Sequence, residues 1–269
     1  MCFHIHAPNK SKPIVISVPH CGTEFPEDLA PKIKDKFKVH PEDTDWFVDE
    51  LYRFSQKHSF TLIKARYSRY VIDLNRPVSQ NSLYEDGRSE TKIVPLTTFL
   101  GEPLYEDQKG GDFWREETAR RVERYYKPYY EKIESLLSSL QKEHKNVLFF
   151  DAHSIKRLVP SIQKEPFPDL ILGDRDEVTA APLLAKVAKK ELEKGGYQVS
   201  YNKPFKGGNL TKHFGRGIKG VHALQLEKSQ DIYMEEKAGT PFLTDKAAKL
   251  QTTLERTLLK LADALEELA

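Results

Sequence analysis

The sequence predicts an α/β protein with a largely parallel sheet, because strand and helix patterns alternate along all of its 269 residues. Several strand segments are continuous apolar runs, which are typical of strands buried on both faces. Polar residues suited to chemistry follow some of these runs, at the strand ends where α/β proteins bind ligands. A chain of this length fits one large domain, which we expect to span residues 1–269. The candidate strands are 13–18, 60–65, 69–74, 147–152, 169–172, 197–202 and 221–226.

Three segments have helical periodicity. Residues 43–57 begin with N-terminal capping chemistry at Asp43, and apolar residues then recur at helical spacing. Residues 113–143 carry one apolar stripe, in which Pro128 should introduce a kink. Near the C-terminus, a leucine stripe is predicted to pack on the sheet rather than in a short coiled coil. It comprises Leu250, Leu254, Leu258, Leu261, Leu265 and Leu268.

The composition excludes several classes of protein. Apolar residues make up 39% and charged residues 30%, as in a soluble protein with a substantial core. The net charge of +2, without a dense basic block, argues against a nucleic-acid surface. No apolar run reaches the roughly 18 residues of a membrane span, and the first residues lack signal-peptide features. We therefore expect a compact cytoplasmic protein that binds neither nucleic acid nor membrane.

Two histidines and a glutamate end three of the candidate strands. His20, His153 and Glu227 each lie directly beyond an apolar run. Imidazole and carboxylate groups are the ligands and proton carriers of hydrolytic metal sites. If the three strands are neighbours in the sheet, these residues predict a metal-assisted hydrolase.

A hydrolytic zinc site needs three protein ligands and an open position. Beside His20 and His153, the third ligand is Asp45, at the start of a helical segment, or Glu24, close to His20 in sequence. Asp151 lies on the same strand face as His153 and could orient that imidazole. Zinc is the expected metal, and the same donors also suit manganese, iron or cobalt.

Cationic residues near the strand ends predict an anionic substrate. Asn75 and Arg76 follow an apolar segment, and arginine binds a carboxylate through two parallel hydrogen bonds. Lys206, in a glycine-containing loop, and Arg216 could supply further positive charge. The stretch 75–112 has loop composition, and a loop of this length is usually functional or partly disordered.

A thiol nucleophile is the alternative mechanism, since Cys21 lies beside His20. Adjacent residues of a strand point to opposite faces, so His20 is badly placed to activate that thiol. Only Cys2 could pair with Cys21, and a chain of this size needs no disulfide. We therefore favour the metal mechanism.

From about residue 13 to about residue 240, the motifs of the chain resemble those of the N-formylglutamate amidohydrolase (N-formylglutamate deformylase) family. They occur in the order found in the family, which makes the resemblance specific for the family and less specific for the substrate. The main matching motifs are Pro-His-Cys-Gly at 19–22, Asp-Thr-Asp-Trp at 43–46, Asp-Leu-Asn-Arg-Pro at 73–77, Asp-Ala-His-Ser at 151–154, Lys-Gly-Gly at 206–208 and Gln-Leu-Glu at 225–227.

The resemblance implies a mixed, mostly parallel sheet covered by helices on both faces, of the zinc carboxypeptidase-like (phosphorylase/hydrolase-like) type. It also implies that His20 and His153 bind the metal and that Glu227 carries protons. Asn75 and Arg76 would then hold a substrate carboxylate.

Two positions depart from the pattern. The His-x-x-Glu ligand motif of the carboxypeptidase group is not reproduced, because Thr23 stands three residues after His20. Asp45 is the favoured third ligand, since it lies in the segment that resembles the family's Asp-Thr-Asp-Trp motif. Cys21 occupies a position where such proteins more often have a small serine or alanine, which suggests that the thiol is dispensable.

The expected reaction, by resemblance, is hydrolysis of N-formyl-L-glutamate to formate and L-glutamate, which closes one route of histidine degradation. One substrate carboxylate should meet Asn75 and Arg76. The other should meet a cation among Arg69, Lys206 and Arg216, and Tyr233 could add a hydrogen bond. The alternatives are a deacylase or carboxypeptidase-like hydrolase for another N-acyl amino acid, or a non-catalytic protein that binds acidic metabolites. The sequence leaves the oligomeric state open.

Overall fold

A computed structural model of the chain describes residues 1–79, 91–107, 110–215, 219–236, 242 and 244–268. Within these residues, one sheet contains the strands Phe3–His6 (β1), Ile14–Val18 (β2), Thr61–Ala65 (β3), Val147–Ile155 (β4), Leu170–Gly173 (β5), Val199–Tyr201 (β6) and Val221–Ser229 (β7). Their order in the sheet is β1-β3-β2-β4-β7-β5-β6. The pairs β1–β3 and β5–β7 are antiparallel, and the other neighbouring pairs are parallel. The predicted α/β class with a mixed, mostly parallel sheet is therefore confirmed.

Helices lie against both faces of the sheet. The described α-helices are Asp35–Val39 (α1), Val48–Leu51 (α2), Gly111–Arg121 (α3), Lys127–Leu140 (α4), Pro182–Lys194 (α5), Asn209–Phe214 (α6) and Thr244–Glu267 (α7). A π-helical turn at Val122–Tyr126 joins α3 to α4, and short 3-10 turns occupy Ala30–Lys32, Arg53–Ser55 and Gln230–Ile232. None of the helices in the described part of the chain combines the length and the apolar character that crossing a membrane requires.

Side chains alternate along β4 and so divide the core between the two faces of the sheet. Leu148 and Phe150 pack with apolar residues of α2, α5 and α7. Val147 and Phe149 pack on the opposite face with the π-helical turn, α4 and α6. The predicted leucine stripe of α7 lies in the first of these two clusters. Its burial within the fold leaves no need for a coiled-coil partner.

The predicted strand at 69–74 is wrong, because these residues form turns. Ser68 Oγ accepts a hydrogen bond from the backbone N–H of Tyr70 at 3.2 Å, and Asp73 Oδ1 accepts one from the N–H of Asn75 at 2.9 Å. Such side-chain-to-backbone bonds compete with strand pairing. The sheet instead contains β1, which the sequence analysis did not predict.

The predicted helix at 43–57 is broken into α2 and a 3-10 turn. Phe47 has φ of 59°, a left-handed backbone conformation that interrupts a right-handed helix. In the predicted helical segment 113–143, the π-helical turn immediately precedes α4, which contains Pro128. Proline lacks an N–H and clashes with the carbonyl four residues before it, so a wider turn at this point accommodates the ring.

The predicted loop 75–112 lies partly outside the described residues, and so does Arg216. Residues 91–107, which the structure describes, contain no helix or strand element. Several of them form one wall of the cavity that holds the candidate site.

Candidate active site

The carboxyl-terminal halves of β4 and β7 supply the first residues of the site. On one face of β4, apolar Phe149 is followed by Asp151 and His153, because alternate residues share a face. On β7, the same alternation places Gln225 and Glu227 together. The parallel register pairs His153 directly with Glu227. Two chemically active side chains therefore meet where the apolar rows of both strands end.

His20, Asp45 and His153 form one buried cluster. Each has a ligand atom within 4.8 Å of the others, and each side chain is almost inaccessible to solvent. Asp45 Oδ2 lies 3.2 Å from Nδ1 of His153 and 3.8 Å from Nδ1 of His20. The backbone places Asp45 here, since its N–H donates a hydrogen bond to the carbonyl of His20 at 3.0 Å. The Nδ1 atoms of both imidazoles thus face one carboxylate oxygen.

The other nitrogen of each imidazole faces a further buried carboxylate. Nε2 of His20 lies 2.8 Å from Asp73 Oδ1, and Nε2 of His153 lies 3.1 Å from Asp151 Oδ1. Metal-binding histidines usually present one ring nitrogen to the metal and donate the other N–H to a carboxylate or carbonyl. The contacts of both histidines fit that arrangement, with Nδ1 as the ligand atom.

The charge balance of the cluster also favours a bound cation. Burial disfavours the charged form of His153, yet the negative charge of Asp151 and the hydrogen bonds with Asp151 and Asp45 outweigh it and raise its pKa to about 10. The neighbouring carboxylates therefore attract positive charge into a buried place. Burial and the charge of Arg69 lower the pKa of His20, and a neutral imidazole is the form that binds metals. Two imidazoles and a carboxylate, all buried, are a donor set that suits a divalent metal such as zinc.

Glu227 is mostly buried beside this cluster, with 9% of its surface exposed. Burial raises its pKa to about 7, even though the charge of His153 acts in the opposite direction. Gln225 Nε2 lies 3.5 Å from Glu227 Oε2. The next residue, Lys228, is fully buried and contacts Tyr52, so the glutamate and the lysine point to opposite faces of β7. A buried carboxyl group with a pKa near neutrality suits proton transfer.

The cluster and Glu227 line one cavity of about 170 Å³. Two arginines of the described chain line it as well. Arg69 is buried, its Nη2 lies 2.5 Å from Asp73, and its guanidinium lies 4.6 Å from the centre of the Phe99 ring. Arg76 donates to the carbonyls of Thr91 and Asn75 at 3.1 and 3.3 Å, and meets no carboxylate among the described residues. A guanidinium has five N–H donors, and within the described residues those of Arg76 meet only these two carbonyls.

Asn75 also lines the cavity and is held by the first turn of α6. Its Oδ1 accepts a hydrogen bond from the N–H of Leu210 at 2.9 Å, and its Nδ2 lies 3.2 Å from Nε2 of His153. A β-carbon at Gly208 would come within 2.3 Å of the Asn75 amide. The glycine is therefore needed for this close approach.

Comparison with known proteins shows which family the chain belongs to. A family model described as N-formylglutamate amidohydrolase matches residues 12–234. The chain is 34% identical over 247 residues to the N-formylglutamate deformylase of Pseudomonas putida, with 91% of both chains covered. It is 35% identical over 251 residues to that of Pseudomonas aeruginosa, again with 91% of both covered. The chain belongs to the N-formylglutamate amidohydrolase family. The resemblance identified from the sequence motifs is therefore confirmed.

A solved member of the N-formylglutamate amidohydrolase family has the same fold. The crystal structure of the enzyme from Ralstonia eutropha JMP134 superposes with a TM-score of 0.81 at 25% identity, and the match covers 99% of each chain. Because nearly all of both chains aligns, the mixed sheet and its helices belong to the family architecture.

Within this family fold, the backbone around Asn75 is supported by two stacked tyrosines. Tyr130 donates a hydrogen bond to the carbonyl of Leu74 at 2.8 Å, and Tyr126, which ends the π-helical turn, donates to that of Arg76 at 3.0 Å. The two rings stack with their centres 4.1 Å apart. The π-helical turn therefore positions a tyrosine beneath the residues predicted to bind a carboxylate, and such turns are frequent at functional sites.

The structure places several other candidate residues away from the cavity. Lys206 is not among its lining residues, and its ammonium lies 2.7 Å from Asp176. Tyr233 is fully buried and donates to the carbonyl of Trp46 at 2.8 Å. The side chain of Glu24, the alternative third ligand, is exposed and pairs with Arg66, which directly follows β3. Arg216 lies outside the described residues.

Cys21 does not line the cavity either. Its thiol points toward the carbonyls of Val18 and Ala65. Burial raises its pKa well above the ordinary value of 9.0, and a reactive cysteine requires the opposite shift. The geometry therefore favours the metal mechanism over a thiol nucleophile.

Sequence reasoning missed several residues of this site. Asp73 received no role of its own, although it stands two residues before Asn75. Gln225 stands two residues before Glu227, and this spacing is the signal for a shared strand face. Phe99 and Ile162, which form apolar walls of the cavity, come from loops without periodicity. No sequence signal pointed to Ile162.

Proposed function

We propose that this protein hydrolyses the amide bond of N-formyl-L-glutamate, releasing formate and L-glutamate. The observation that carries the proposal is one cavity in which a buried His20–Asp45–His153 cluster and Glu227 face two arginines. The substrate has one amide bond and two carboxylates, which matches this combination of groups. Membership of the N-formylglutamate amidohydrolase family, and the names of the Pseudomonas relatives, support the same substrate.

His20, Asp45 and His153 would hold one divalent metal, which we take to be zinc. When bound, such a cation supplies Lewis-acid chemistry for amide hydrolysis. Asp73 and Asp151 would fix the orientation of the two imidazoles through Nε2. All five residues are nearly inaccessible to solvent, so the geometry of the cluster is set by the surrounding core.

Glu227 is the proposed proton carrier. It accepts a proton from the water that attacks the formyl carbon and then donates it to the glutamate nitrogen as the C–N bond breaks. Its pairing with His153 in the strand register keeps it beside the metal ligands throughout. A carboxyl group that serves first as base and then as acid needs a pKa near the working pH.

The two arginines are proposed to bind the two carboxylates of the substrate. Arg76, with the amide of Asn75 beside it, would take the α-carboxylate, because among the described residues its guanidinium meets carbonyls and no carboxylate. Arg69 would face the γ-carboxylate, although it also pairs with Asp73. Lys206 is left out of this proposal, because its ammonium lies against Asp176.

The test is formate release from N-formyl-L-glutamate by the purified protein, measured before chelation, after chelation and after zinc is restored. We expect activity that is lost with the chelator and recovered with zinc. Activity indifferent to chelation would reject the metal mechanism and return attention to Cys21. Absence of activity in a protein shown to contain one zinc per chain would reject the substrate.

A further inference from the structure

Gln225 of β7 is a buried amide in the wall of the candidate active site. It lines the same cavity as Glu227, and 4% of its surface is exposed. The strand register places it between Asp151 of β4 and Gly173 of β5, in the middle of the sheet. A polar side chain buried at such a place needs hydrogen-bond partners, and the identity of these partners indicates what it does.

The amide of Gln225 has a defined orientation. Its Oε1 accepts a hydrogen bond from the backbone N–H of Gly208 at 2.8 Å, and in an amide group only the oxygen can accept. The Nε2 atom therefore points the other way, and the acceptor that it meets within the described residues is Oε2 of Glu227, at 3.5 Å. Catalytic hydrogen bonds are often long before the substrate binds and shorten in the complex. Gln225 is thus placed to orient the carboxylate of Glu227.

The N–H of Gly208 is held in place by a short loop segment, residues 206–208, that packs against the end of β5. A β-carbon at Gly173, the last residue of β5, would come within 2.5 Å of the carbonyl carbon of Lys206. The carbonyl of Lys206 also accepts a hydrogen bond from the backbone N–H of Arg175 at 2.6 Å. The segment is therefore fixed at the sheet before it reaches the amide of β7.

The same loop segment supports Asn75. Gly208 lies so close to the Asn75 amide that a β-carbon would come within 2.3 Å of it. Two residues later, the N–H of Leu210 donates a hydrogen bond to Asn75 Oδ1 at 2.9 Å. A displacement of Gly208 would therefore displace Asn75, which is proposed to bind a substrate carboxylate. One end of the Gln225 amide thus faces the proposed proton carrier, and the other end supports the proposed carboxylate site.

We propose that Gln225 is a positioning residue with two separable effects. Its Nε2 orients Glu227 for proton transfer, and its Oε1 holds Gly208 and so Asn75 for substrate binding. This inference rests on the proposed function, because it acts through the same proton carrier and the same carboxylate site. The first effect should appear in kcat and the second in KM, since Glu227 acts on the reacting atoms and Asn75 on a bound carboxylate.

Gln225→Glu tests the effect on Glu227. This substitution keeps an oxygen for the N–H of Gly208, but it replaces the N–H donor by a second carboxyl group beside Glu227. We expect kcat for N-formyl-L-glutamate to fall about 10- to 100-fold, the value of one hydrogen bond to a charged group. KM should stay within about threefold of the parent, because the support of the carboxylate site is retained.

Gln225→Met tests both effects at once, since it has a similar size and neither end of the amide. The kcat should fall as in Gln225→Glu, and KM should rise about fivefold or more, because the buried N–H of Gly208 loses its acceptor. The dissociation constant of L-glutamate, measured by isothermal titration calorimetry on the zinc-loaded proteins, should follow KM. Gln56→Glu, at an exposed glutamine, is the control and should match the parent in all three quantities. Metal analysis and circular dichroism on the same preparations give the zinc content and the folded state.

The remaining outcomes contradict defined parts of the proposal. A parent kcat for Gln225→Glu would show that Gln225 does not act on Glu227. A parent KM and a parent L-glutamate affinity for Gln225→Met would reject the link from Gly208 to Asn75. Loss of zinc or of folded protein in proportion to the loss of kcat would assign Gln225 to the fold alone. A zinc-loaded parent without turnover would reject the proposed reaction and the effect on Glu227, and L-glutamate binding weakened only by Gln225→Met would then still support the link to Asn75.

Discussion

The carboxylate of Asp73 lies 2.8 Å from Nε2 of His20 and connects the proposed metal ligands to Asn75 and Arg76, the residues proposed to bind a substrate carboxylate. The same side chain lies 2.5 Å from Nη2 of Arg69 and accepts the N–H of Asn75. Asp73 is fully buried, and the positive neighbours, Arg69 above all, hold its pKa well below the usual range despite the burial. One charged group therefore holds the proposed ligand His20, the guanidinium of Arg69 and the backbone of Asn75.

Asp73→Asn should weaken zinc binding by about 10- to 100-fold, the usual effect of removing the partner of a metal-binding histidine. The asparagine keeps the size of the side chain but removes the charge that orients His20. Zinc affinity is measured by competition with a chromogenic chelator, with the folded state checked by circular dichroism. Asp176→Asn, at an exposed aspartate, is the control and should bind zinc as the parent does. An unchanged affinity in a folded Asp73→Asn protein would show that the imidazole needs no such partner.

Glu227→Gln should lower kcat by about 100- to 10,000-fold, because an amide cannot accept the proton of the attacking water. The zinc content should stay at the parent level, since Glu227 is not a proposed ligand. Steady-state kinetics and metal analysis on the same preparation separate these two effects. Glu266→Gln, at an exposed glutamate of α7, controls for loss of a surface charge. If the glutamine variant kept a near-parent kcat, another group would have to carry the proton.

Arg76→Ala should raise KM for N-formyl-L-glutamate by about 30-fold or more, because truncating one partner of a buried charged pair costs about 2 kcal/mol or more. Arg76→Lys should recover only part of this loss, since lysine cannot form two parallel bonds to a carboxylate. Arg115→Ala, at an exposed arginine of α3, should leave KM unchanged. A near-normal KM for Arg76→Ala would remove this residue from substrate binding.

The positions of the strand-end residues could be predicted because they follow from local pattern. His153 and Glu227 end long apolar runs, and parallel pairing then brings them together without any further information. His20 ends a third run, beyond β2, which lies directly beside β4. These positions depend on strand periodicity and on sheet order, and the motif of the family favoured Asp45 over Glu24 as the third ligand.

The contacts that complete the site depend on side chains that are distant in sequence. Residues 69–74 read as a strand, but hydrogen bonds from Ser68 and Asp73 fold them into turns. Tyr130, in the first turn of α4 and 56 residues further along the chain, donates a hydrogen bond to the carbonyl of Leu74. Periodicity cannot report such contacts. For the same reason, the sequence could not show that Lys206 faces Asp176 rather than the cavity.

A buried charge pair in α3 predicts how the protein responds to acid. Glu117 accepts hydrogen bonds from Arg120 at 2.7 and 2.8 Å and from Arg121 at 2.8 Å. Arg121 is 1% exposed and also donates to the carbonyl of Val71, beside the turn that contains Asp73. Burial acts to raise the pKa of Glu117, but the two arginines outweigh it and lower the value to about 2 from an ordinary 4.5.

Because the pKa of Glu117 is lower in the folded protein than in the unfolded chain, its ionised form stabilises the fold above pH 4.5, and this stabilisation is lost as the pH falls toward about 2. Glu117→Gln should therefore reduce the free energy of unfolding at pH 7 by about 2 kcal/mol, the range for hydrogen bonds to charged groups. The difference from the parent should shrink steadily between pH 4.5 and pH 2. Urea unfolding at several pH values, with a chelator present so that metal release does not contribute, measures both effects. Glu116→Gln, at the exposed neighbouring position, should match the parent at every pH, and a Glu117→Gln difference that is independent of pH would contradict the assigned charge pair.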